Sequence, residues 1–352
     1  IGTGPRVAEF ERNFAGYKNA DHAVAVNSCT AALHLSILAA GIGPGDEVIT
    51  TPLTFCATVN AIIHAGATPV LADVDPRTMN ISPDRVREKI TDRTRAIVPV
   101  HFAGRPCEMD ALARLAEPRN LVVIEDCAHA IETEYHGQKA GTFGDFGCFS
   151  FYVTKNVVTG EGGMVLAKDS DHAARLKMLA LHGMSSDAWK RFGDEGYKHY
   201  LVMEAGFKYN MTDMQAALGL GQLKKVESYW ERRREIWERY MDALSPLPLT
   251  LPAPVEENTR HGHHLFTILV EESSTGISRD SFLGRMTGQK IGVGVHYLSL
   301  PEHPFYQERF GWNADDYPYA RDIGRQTVSL PLSAKLSDED VEDVIRAVRG
   351  IL

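Results

Sequence analysis

Short apolar runs that alternate with helical periods are the feature that most constrains the fold of this chain. Runs of four to six mainly apolar residues are typical of strands in a buried sheet. The predicted strands are Ala23–Val26, Glu47–Thr50, Thr68–Asp73, Ala96–His101, Val122–Glu125, Cys148–Tyr152 and Met164–Ala167. Amphipathic helices are predicted at Thr30–Ala40, Ala57–Ala65, Met109–Ala116 and Asp171–Leu181. This alternation predicts an α/β fold with a mostly parallel seven-stranded central sheet.

The C-terminal part is predicted to form a second, smaller α/β domain. A helical pattern continues from Met211 to Leu244, and two prolines in Ser245–Pro248 interrupt it. We therefore place a large domain at residues 1–244 and a small domain at 245–352. The elements predicted for the small domain are strands at His264–Val270 and Val293–Leu298 and a closing helix at Asp338–Arg349, which Ser337 begins.

A carboxylate is predicted at the carboxyl end of the fifth strand. Four apolar residues, Leu121–Ile124, come directly before Glu125 and Asp126. Ligands of open α/β sheets bind at this edge. A carboxylate against a pyridine nitrogen keeps that nitrogen protonated, and the protonated ring withdraws electrons from a carbanion on the attached substrate. Asp126 is the candidate for this role. The alternative is a carboxylate that caps the following helix or turn.

Lys155 is the candidate for covalent attachment of an aldehyde cofactor. It lies between the apolar run Phe149–Val153 and the glycine-rich segment Gly160–Gly163. Withdrawal from water lowers the pKa of a lysine, and the neutral amine can condense with an aldehyde such as that of pyridoxal phosphate (PLP). The alternative is an ordinary, solvated lysine at the end of a strand.

A phosphate site is predicted where the first strand ends. Small and hydroxyl-bearing residues, Ser28, Cys29 and Thr30, open the helix that follows this strand. The amides and the dipole of a helix N-terminus attract an anion. Ser28 and Thr30 can equally be ordinary N-caps.

Charge and cysteine usage exclude several classes of function. The 352 residues carry a formal net charge of -9, which argues against a nucleic-acid-binding surface. No apolar run reaches the roughly 20 residues that a membrane span requires. The five cysteines form no CxxC pair, so we expect reduced thiols in the cytoplasm. The cluster of His261, His263 and His264 lacks the spacing and the carboxylate of a metal site, and no metal is expected.

Nearly the whole chain resembles the DegT/DnrJ/EryC1/StrS family of sugar aminotransferases, which use PLP. The motifs that carry the resemblance are Gly4–Glu11, Asn27–Leu35, Gly45–Ile49, Thr54–Thr58, Glu125–Ala130, Phe149–Phe151, Thr154–Asn156, Gly160–Gly163 and Tyr209–Ala217. The order and the spacing of these motifs make the resemblance specific. It implies fold type I of the PLP-dependent transferases, similar to aspartate aminotransferase.

The resemblance also implies roles for individual residues. Lys155 matches the Schiff-base lysine, and Asp126 matches the acid that faces the ring nitrogen. The other matches to cofactor-binding positions are His129 near the ring hydroxyl, Phe55 stacked on the ring, Ser28, Cys29, Thr30 and Ser150 at the phosphate, and Asn210 reaching the phosphate from the neighbouring subunit. Cys29 stands where many relatives have glycine, and Phe55 can equally be a core residue. The role of Asn210 implies a homodimer with shared active sites.

The implied reaction moves an amino group, with L-glutamate as donor and 2-oxoglutarate as its product, to a nucleotide-linked keto-deoxy sugar. PLP and its amine form, PMP, alternate in two half-reactions, and C4 of the sugar is expected as the acceptor rather than C3. The expected substrate contacts are His182, Lys208, Tyr209, His296 and Tyr297. For Gly292–Tyr297 the alternative is a glycine-containing strand, and for the loop Leu181–Arg191 it is an exposed surface loop.

Two other functions of the same fold remain open. Relatives in which histidine replaces the lysine remove a sugar hydroxyl, and a non-catalytic regulator is also possible. The presence of Lys155, Asp126 and the phosphate site favours transamination. The chain begins at Ile1, so we expect a short N-terminal segment to precede it.

Overall fold

The structure, a computed structural model, describes residues 2–185 and 200–352. Its strands are β1 (His22–Val26), β2 (Glu47–Thr50), β3 (Thr68–Leu71), β4 (Thr94–Val98), β5 (Val122–Asp126), β6 (Glu134–Tyr135), β7 (Gln138–Lys139), β8 (Phe146–Ser150), β9 (Gly163–Ala167), β10 (Thr259–Arg260), β11 (Phe266–Leu269) and β12 (Thr327–Leu330). The segment 187–191, predicted to contact substrate, lies outside the described residues.

The helices of the described part follow the strands in the order of an α/β chain. They are α1 (Pro5–Lys18), α2 (Cys29–Ala39), α3 (Ala57–His64), α4 (Pro83–Lys89), α5 (Met109–Ala116), α6 (Ser170–Ala180), α7 (Asp213–Leu223), α8 (Val226–Leu244), α9 (Glu272–Thr275), α10 (Arg279–Gly288), α11 (Pro304–Phe310), α12 (Pro318–Gln326) and α13 (Asp338–Ile351). Short 3-10 helices cover Phe102–Gly104, Glu117–Arg119, Leu300–Glu302 and Ala314–Asp316.

The central sheet has seven strands in the order β1-β9-β8-β5-β4-β2-β3. The pairs β2–β3, β2–β4, β4–β5 and β5–β8 are parallel, and β9 is antiparallel to both of its neighbours. The predicted fold class and all seven predicted strands are confirmed, with ends that differ by one to three residues at most of them. Because most strands point the same way, their carboxyl ends share one edge, where the loops can build a site.

Both faces of the sheet are buried, which explains the continuous apolar runs. Along β1, Val24 and Val26 pack against α2 and α6, while Ala23 and Ala25 pack against α1 and α7. Successive side chains of a strand point to opposite faces, so a strand between two helix layers needs apolar residues at every position. A further cluster, built on α4 and α5, covers the β2–β5 region.

One helix was not predicted, and one helical prediction needs correction. Helix α1 was not predicted, although Pro5 stands in its first turn and Val7, Phe10 and Phe14 form its buried side. The pattern from Met211 to Leu244 is two helices, because α7 ends at Leu223 and α8 begins at Val226. Within the described residues no helix is both long and apolar enough to cross a membrane.

The C-terminal region is built on the two-stranded antiparallel sheet of β11 and β12. Helix α13 is confirmed and begins with a capping box between Ser337 and Asp340. Helix α8 packs its buried residues into the same core as β11, β12 and α13. The domain boundary after residue 244 therefore stays a prediction, since α8 shares its core with the residues that follow.

The predicted strand Val293–Leu298 is wrong. One residue of it, Gly294, pairs with Ser329 of β12, and the pairing stops there. The chain leaves the sheet because His296 turns back to Ser329 through its ring, with Nδ1 2.8 Å from Oγ. Gly294 makes room for this turn, since a Cβ there would lie 2.9 Å from Cε1 of His296. The segment thereby reaches the edge of the central sheet.

Candidate active site

A cavity of about 680 Å³ lies at the carboxyl edge of the central sheet. Its wall comes from the residues that follow β1, β2, β4, β5 and β8, together with three segments of the C-terminal region. The predicted residues that line it are Ser28, Cys29, Thr30, Phe55, Asp126, His129, Ser150, Lys155, His296 and Tyr297. Ten residues separated by up to 269 positions in sequence thus meet at the edge where ligands of open α/β sheets bind.

Asp126 ends β5 and is 4% exposed. Its Oδ2 accepts a hydrogen bond of 2.8 Å from Thr58 Oγ1, and its Oδ1 accepts one of 3.1 Å from the amide of Ala128. Burial raises the pKa of Asp126, and the two hydrogen bonds and the charge of Lys155 oppose the rise. A carboxylate held in this way can accept a further donor from the cavity.

Lys155 lies in a turn after β8, and its amide donates to the carbonyl of Tyr152. Burial lowers the pKa of its amine, while Cys29 and Asp126 act in the opposite direction. The neutral amine, which is the nucleophilic form, is therefore more populated than in water. The cavity thus holds a partly desolvated lysine and a buried carboxylate in one wall.

The residue after the lysine fixes this turn to the rest of the protein. Asn156 Nδ2 donates to Glu132 Oε2 at 2.7 Å and to the carbonyl of Gly262 at 3.2 Å. Asn156 Oδ1 lies 3.0 Å from Nδ1 of His264, whose ring also lines the cavity. Glu132 is in turn paired with Arg233 of α8 at 2.5 Å. The turn of Lys155 is thereby tied to the C-terminal region through buried hydrogen bonds.

The N-terminus of α2 forms the part of the wall suited to an anion. Ser28 is the N-cap, and its Oγ accepts from the amide of Ala31 at 3.1 Å. Thr30 is exposed, and Ser150 is buried at the end of β8. Strand β9 can approach this turn because Gly163 has no side chain; a Cβ there would lie 2.5 Å from the carbonyl of Ser28. Ser28 therefore caps the helix and also faces the cavity.

His129 and Tyr297 form a polar pair across the cavity. The amide of Ala103 donates to Nδ1 of His129 at 3.3 Å, so the proton of the neutral ring is on Nε2. This Nε2–H faces the hydroxyl oxygen of Tyr297 at 3.2 Å. Burial holds the pKa of His129 well below its usual range, so the ring is neutral. The hydroxyl proton of Tyr297 is then free to point towards a ligand.

Phe55 stands at the mouth of the cavity with 58% of its surface exposed. Its ring centroid lies 6.1 Å from that of Tyr297, at an interplanar angle of 45°. The alternative of a core residue does not fit this exposure. An exposed aromatic ring beside a cavity offers a face on which a planar ligand can stack.

Four predicted residues do not line this cavity within the described wall: His182, Lys208, Tyr209 and Asn210. Tyr209 stacks on Phe207, with ring centroids 4.9 Å apart. The side chain of Asn210 donates to Thr3 Oγ1 at 2.7 Å and lines a separate cavity of about 420 Å³. Asn210 and its neighbours therefore do not line the Lys155 cavity of their own chain.

Sequence reasoning missed two hydroxyls that support Asp126. Thr54 and Thr58 stand at either end of the turn that leads from β2 into α3, and their hydroxyl oxygens are 3.0 Å apart. Thr54 precedes α3 and Thr58 lies in its first turn, so helix periodicity does not pair them and no sequence pattern signals their contact. His264 was not predicted as a site residue, but its ring lines the cavity, and its centroid lies 4.3 Å from that of His129 at an interplanar angle of 33°.

One buried cluster has the composition of a metal site but not its chemistry. The candidate ligand atoms of His101, Glu125 and Cys127 lie within 4.8 Å of one another. Nδ1 of His101 accepts from the amide of Cys107, so its Nε2 carries the proton that it donates to Glu125 at 3.0 Å. Burial also raises the pKa of Cys127 well above its usual value. A protonated ring nitrogen and a protonated thiol have no lone pair suited to a cation.

Comparison with known proteins gives the same result along the whole chain. Residues 1–349 match the model of the DegT/DnrJ/EryC1/StrS aminotransferase family. The chain is 47% identical over 353 aligned positions to the spore coat polysaccharide biosynthesis protein SpsC of Bacillus subtilis (strain 168), which covers 100% of this chain and 91% of that protein.

Solved structures support the assignment. The PMP-form of Spr1654 from Streptococcus pneumoniae is 33% identical, covers 100% of this chain and 92% of its own, and superposes with a TM-score of 0.93. Spr1654 has also been solved in a PLP-form. PseC of Helicobacter pylori, an aminotransferase involved in the biosynthesis of pseudoaminic acid, is 29% identical over 99% of this chain and 92% of its own, with a TM-score of 0.91. The chain therefore belongs to the DegT/DnrJ/EryC1/StrS aminotransferase family, and it is a PLP-dependent sugar aminotransferase.

Proposed function

We propose that this enzyme transfers an amino group from L-glutamate to the keto carbon of a nucleotide-linked keto-deoxy sugar. The observation that carries the proposal is the meeting of Lys155 and Asp126 in one cavity, next to the N-terminus of α2. SpsC is named for spore coat polysaccharide biosynthesis, and Spr1654 is named as a sugar aminotransferase, which supports a sugar as the amino acceptor. The preference for C4 over C3 rests on the His182–Gly183 and Phe207–Asn210 segments.

The residues of the cavity fit PLP. Lys155 would hold it covalently, Asp126 would face the ring nitrogen, and the N-terminus of α2 with Ser28 would hold the phosphate. Phe55 would stack on the ring, and His129 would lie near the ring hydroxyl. When bound, PLP supplies an electron sink that stabilises negative charge on the carbon of the substrate that bears nitrogen. In this arrangement the chain supplies the groups that hold the charges and move the proton.

Two side chains do most of the chemical work in this proposal. Lys155, once released from its covalent link, is an amine with a pKa lowered by burial, so it can take a proton from the substrate carbon and return one to the cofactor. Asp126 stays anionic so that the ring nitrogen keeps its proton. Tyr297 and His129, held together by the hydrogen bond between them, would help to position the ring.

We also propose that the active unit is a homodimer. Asn210 does not line the Lys155 cavity of its own chain, which favours a role for it at the cofactor of a partner. The apolar side chains of Val153, Met214 and Leu218 are 55–64% exposed, which favours a second copy as their cover. In the described wall of the cavity, Lys155 is the only lysine or arginine. Groups from the partner would therefore complete the binding of an anionic sugar nucleotide.

The five cysteines are all free thiols, which supports our placement of the enzyme in the reducing cytoplasm.

Absorbance of the purified protein with PLP tests the chemistry. Addition of L-glutamate should bleach the visible band of bound PLP, and 2-oxoglutarate should restore it. When 4-keto and 3-keto nucleotide sugars are then tested in turn, only the accepted sugar should restore the band. Lys155→Ala should lose the covalent band, whereas Lys168→Ala, which alters an exposed lysine after β9, should keep it. A band that glutamate does not change, or one that no keto sugar restores, would contradict the proposal.

A further inference from the structure

Two hydrogen-bonded hydroxyls, those of Thr54 and Thr58, form a chain that ends on Asp126. Thr58, in the first turn of α3, is 1% exposed, and Thr54 is 3% exposed. Thr58 Oγ1 lies 2.8 Å from Asp126 Oδ2 and 3.0 Å from Thr54 Oγ1. Both threonines also line the cavity. The chain therefore joins the start of α3 to the carboxylate at the end of β5.

The direction of these hydrogen bonds depends on the charge of Asp126. A hydroxyl has one proton to donate. An ionised Asp126 can only accept, so Thr58 must donate to it, and Thr54 must then donate to Thr58. A protonated Asp126 could instead donate to Thr58 through Oδ2. The order Thr54 to Thr58 to Asp126 therefore stabilises the ionised carboxyl.

We propose that Thr58 is a positioning residue that keeps Asp126 ionised and aimed into the cavity, and that Thr54 supports it. This inference rests on the proposed role of Asp126 at the ring nitrogen. The Thr58 hydroxyl need not touch the cofactor, because it acts through the carboxylate. Hydrogen bonds to charged groups are about twice as strong as bonds between neutral groups, so the loss of this one is measurable.

Other groups also act on Asp126, and the test has to separate them from Thr58. The amide of Ala128 donates to Oδ1, and Lys155 and His101 favour the ionised carboxyl. The thiol of Cys29 lies 4.0 Å from Oδ1. The remaining titratable groups that interact with this carboxyl are Tyr297, Cys107, Cys127 and Cys148. Substitution of Thr58 leaves all of these groups in place.

The experiment uses the full chain, stripped of cofactor and titrated with PLP. Thr58→Val removes the hydroxyl at nearly constant volume, and Thr58→Ser keeps it. Thr50→Val is the matched control, because Thr50 is also fully buried and its hydroxyl donates to the carbonyl of Val98 at 2.8 Å, away from Asp126. Asp126→Asn and the double variant Thr58→Val/Asp126→Asn complete a double-mutant cycle. The readouts are the dissociation constant of PLP at several pH values and the absorbance spectrum of the bound form.

Thr58→Val should weaken PLP binding about tenfold or more at neutral pH, as expected for a lost hydrogen bond to a charged group. Affinity falls as the pH drops and Asp126 takes up a proton, and this fall should move to higher pH in Thr58→Val. Thr58→Ser and Thr50→Val should bind as the wild type does. In the Asp126→Asn background, Thr58→Val should cause no further loss.

Three outcomes would overturn the inference. In the first, Thr58→Val binds PLP as the wild type does while Asp126→Asn binds weakly. In the second, Thr58→Val loses the same affinity with or without Asp126. In the third, Thr50→Val loses as much affinity as Thr58→Val. If Asp126→Asn itself binds PLP normally, the role of Asp126 fails and this inference fails with it. Failure of every keto sugar to react would instead count against the proposed substrate and leave the role of Thr58 intact.

Discussion

The two acids at the end of β5 are neighbours in sequence but lie in opposite surroundings. Glu125 is fully buried, and its carboxylate accepts four hydrogen bonds, from His101 Nε2 and from the amides of Gly141, Phe143 and Gly144. Asp126 is 4% exposed and accepts from Thr58 and Ala128, and it lines the cavity. Successive residues of a strand point to opposite sides, so one acid holds a loop and the other faces a ligand.

The comparison shows how a structural carboxylate differs from one that is available for chemistry. Both acids are desolvated, but the partners of Glu125 are supplied entirely by the protein, three of them backbone amides that follow β7. Asp126 keeps capacity to accept a donor from the cavity. Burial alone therefore does not mark a functional acid. A functional acid is marked by how few hydrogen-bond donors the protein itself supplies to its carboxylate.

Glu125→Gln should destabilise the fold more than any other substitution considered. The amide group of glutamine cannot accept from all four donors, so at least one buried N–H loses its partner. The free energy of unfolding of the cofactor-free protein should fall by about 3–5 kcal/mol, the range for breaking a buried charged interaction. Denaturation in urea measures this loss. A change below about 1 kcal/mol would show that the loop after β7 does not depend on the carboxylate.

Asp126→Asn should show the opposite behaviour. Asparagine keeps the volume and can still accept from Thr58, so the cofactor-free protein should unfold within about 1 kcal/mol of the wild type. Its kcat/KM should fall about 10²–10³-fold, the usual cost of removing a group that stabilises charge in the transition state. Steady-state kinetics with saturating PLP measure the loss. Retained activity together with lost stability would reverse the assignment of the two acids.

The pH dependence of stability sharpens the same contrast. The pKa of Asp126 in the folded, cofactor-free protein is raised by burial above its value in the unfolded chain. As the pH rises above about 4, the unfolded chain loses this proton first, so folding becomes less favourable until the folded pKa is passed. The wild type should therefore lose stability relative to Asp126→Asn over this window. Urea denaturation of both proteins between pH 4 and 7 measures the difference, and parallel curves would contradict it.

The sequence predicted the central strands well because a strand that is buried on both faces shows this in its own residues. Strands covered on both faces need apolar residues at most positions, and the seven central strands are mainly apolar. Val293–Leu298 has an apolar and glycine-containing sequence of similar appearance, but its course depends on His296 and Ser329 meeting across the structure. The break between α7 and α8 falls at Lys224–Lys225, where no glycine or proline marks it.

The site was predictable in part for a different reason. Lys155, Asp126 and Ser28 stand in motifs whose chemistry can be inferred from each sequence segment separately. The support of Asp126 by Thr58 is not, because it exists only where α3 meets β5. The proposed role of Asn210 likewise depends on a second chain, which one sequence read by itself does not position. Contacts between distant segments are therefore what the structure adds to the motifs.

The smallest expected effect concerns a tyrosine that bridges the two parts of the chain at the cavity. Tyr297→Phe removes the oxygen that faces the Nε2–H of His129 at 3.2 Å, and leaves that buried donor without its partner. A neutral hydrogen bond of this kind contributes about 0.5–1.5 kcal/mol, so PLP affinity should fall by roughly two- to tenfold. Titration of the cofactor-free protein measures it.

Tyr306→Phe is the control for this prediction. Tyr306 also joins the C-terminal region to the rest of the chain, because its hydroxyl donates to Oδ1 of Asn60 in α3 at 2.7 Å. Unlike Tyr297, it does not line the described cavity wall. Its loss should lower the free energy of unfolding by about 1 kcal/mol and leave PLP affinity unchanged. If both variants lower the affinity for PLP equally, the effect comes from the contact between the two regions and not from the polar pair in the cavity. The distinction between groups that hold the fold and groups that face the ligand would then fail at this position, although it could still hold for the two acids of β5.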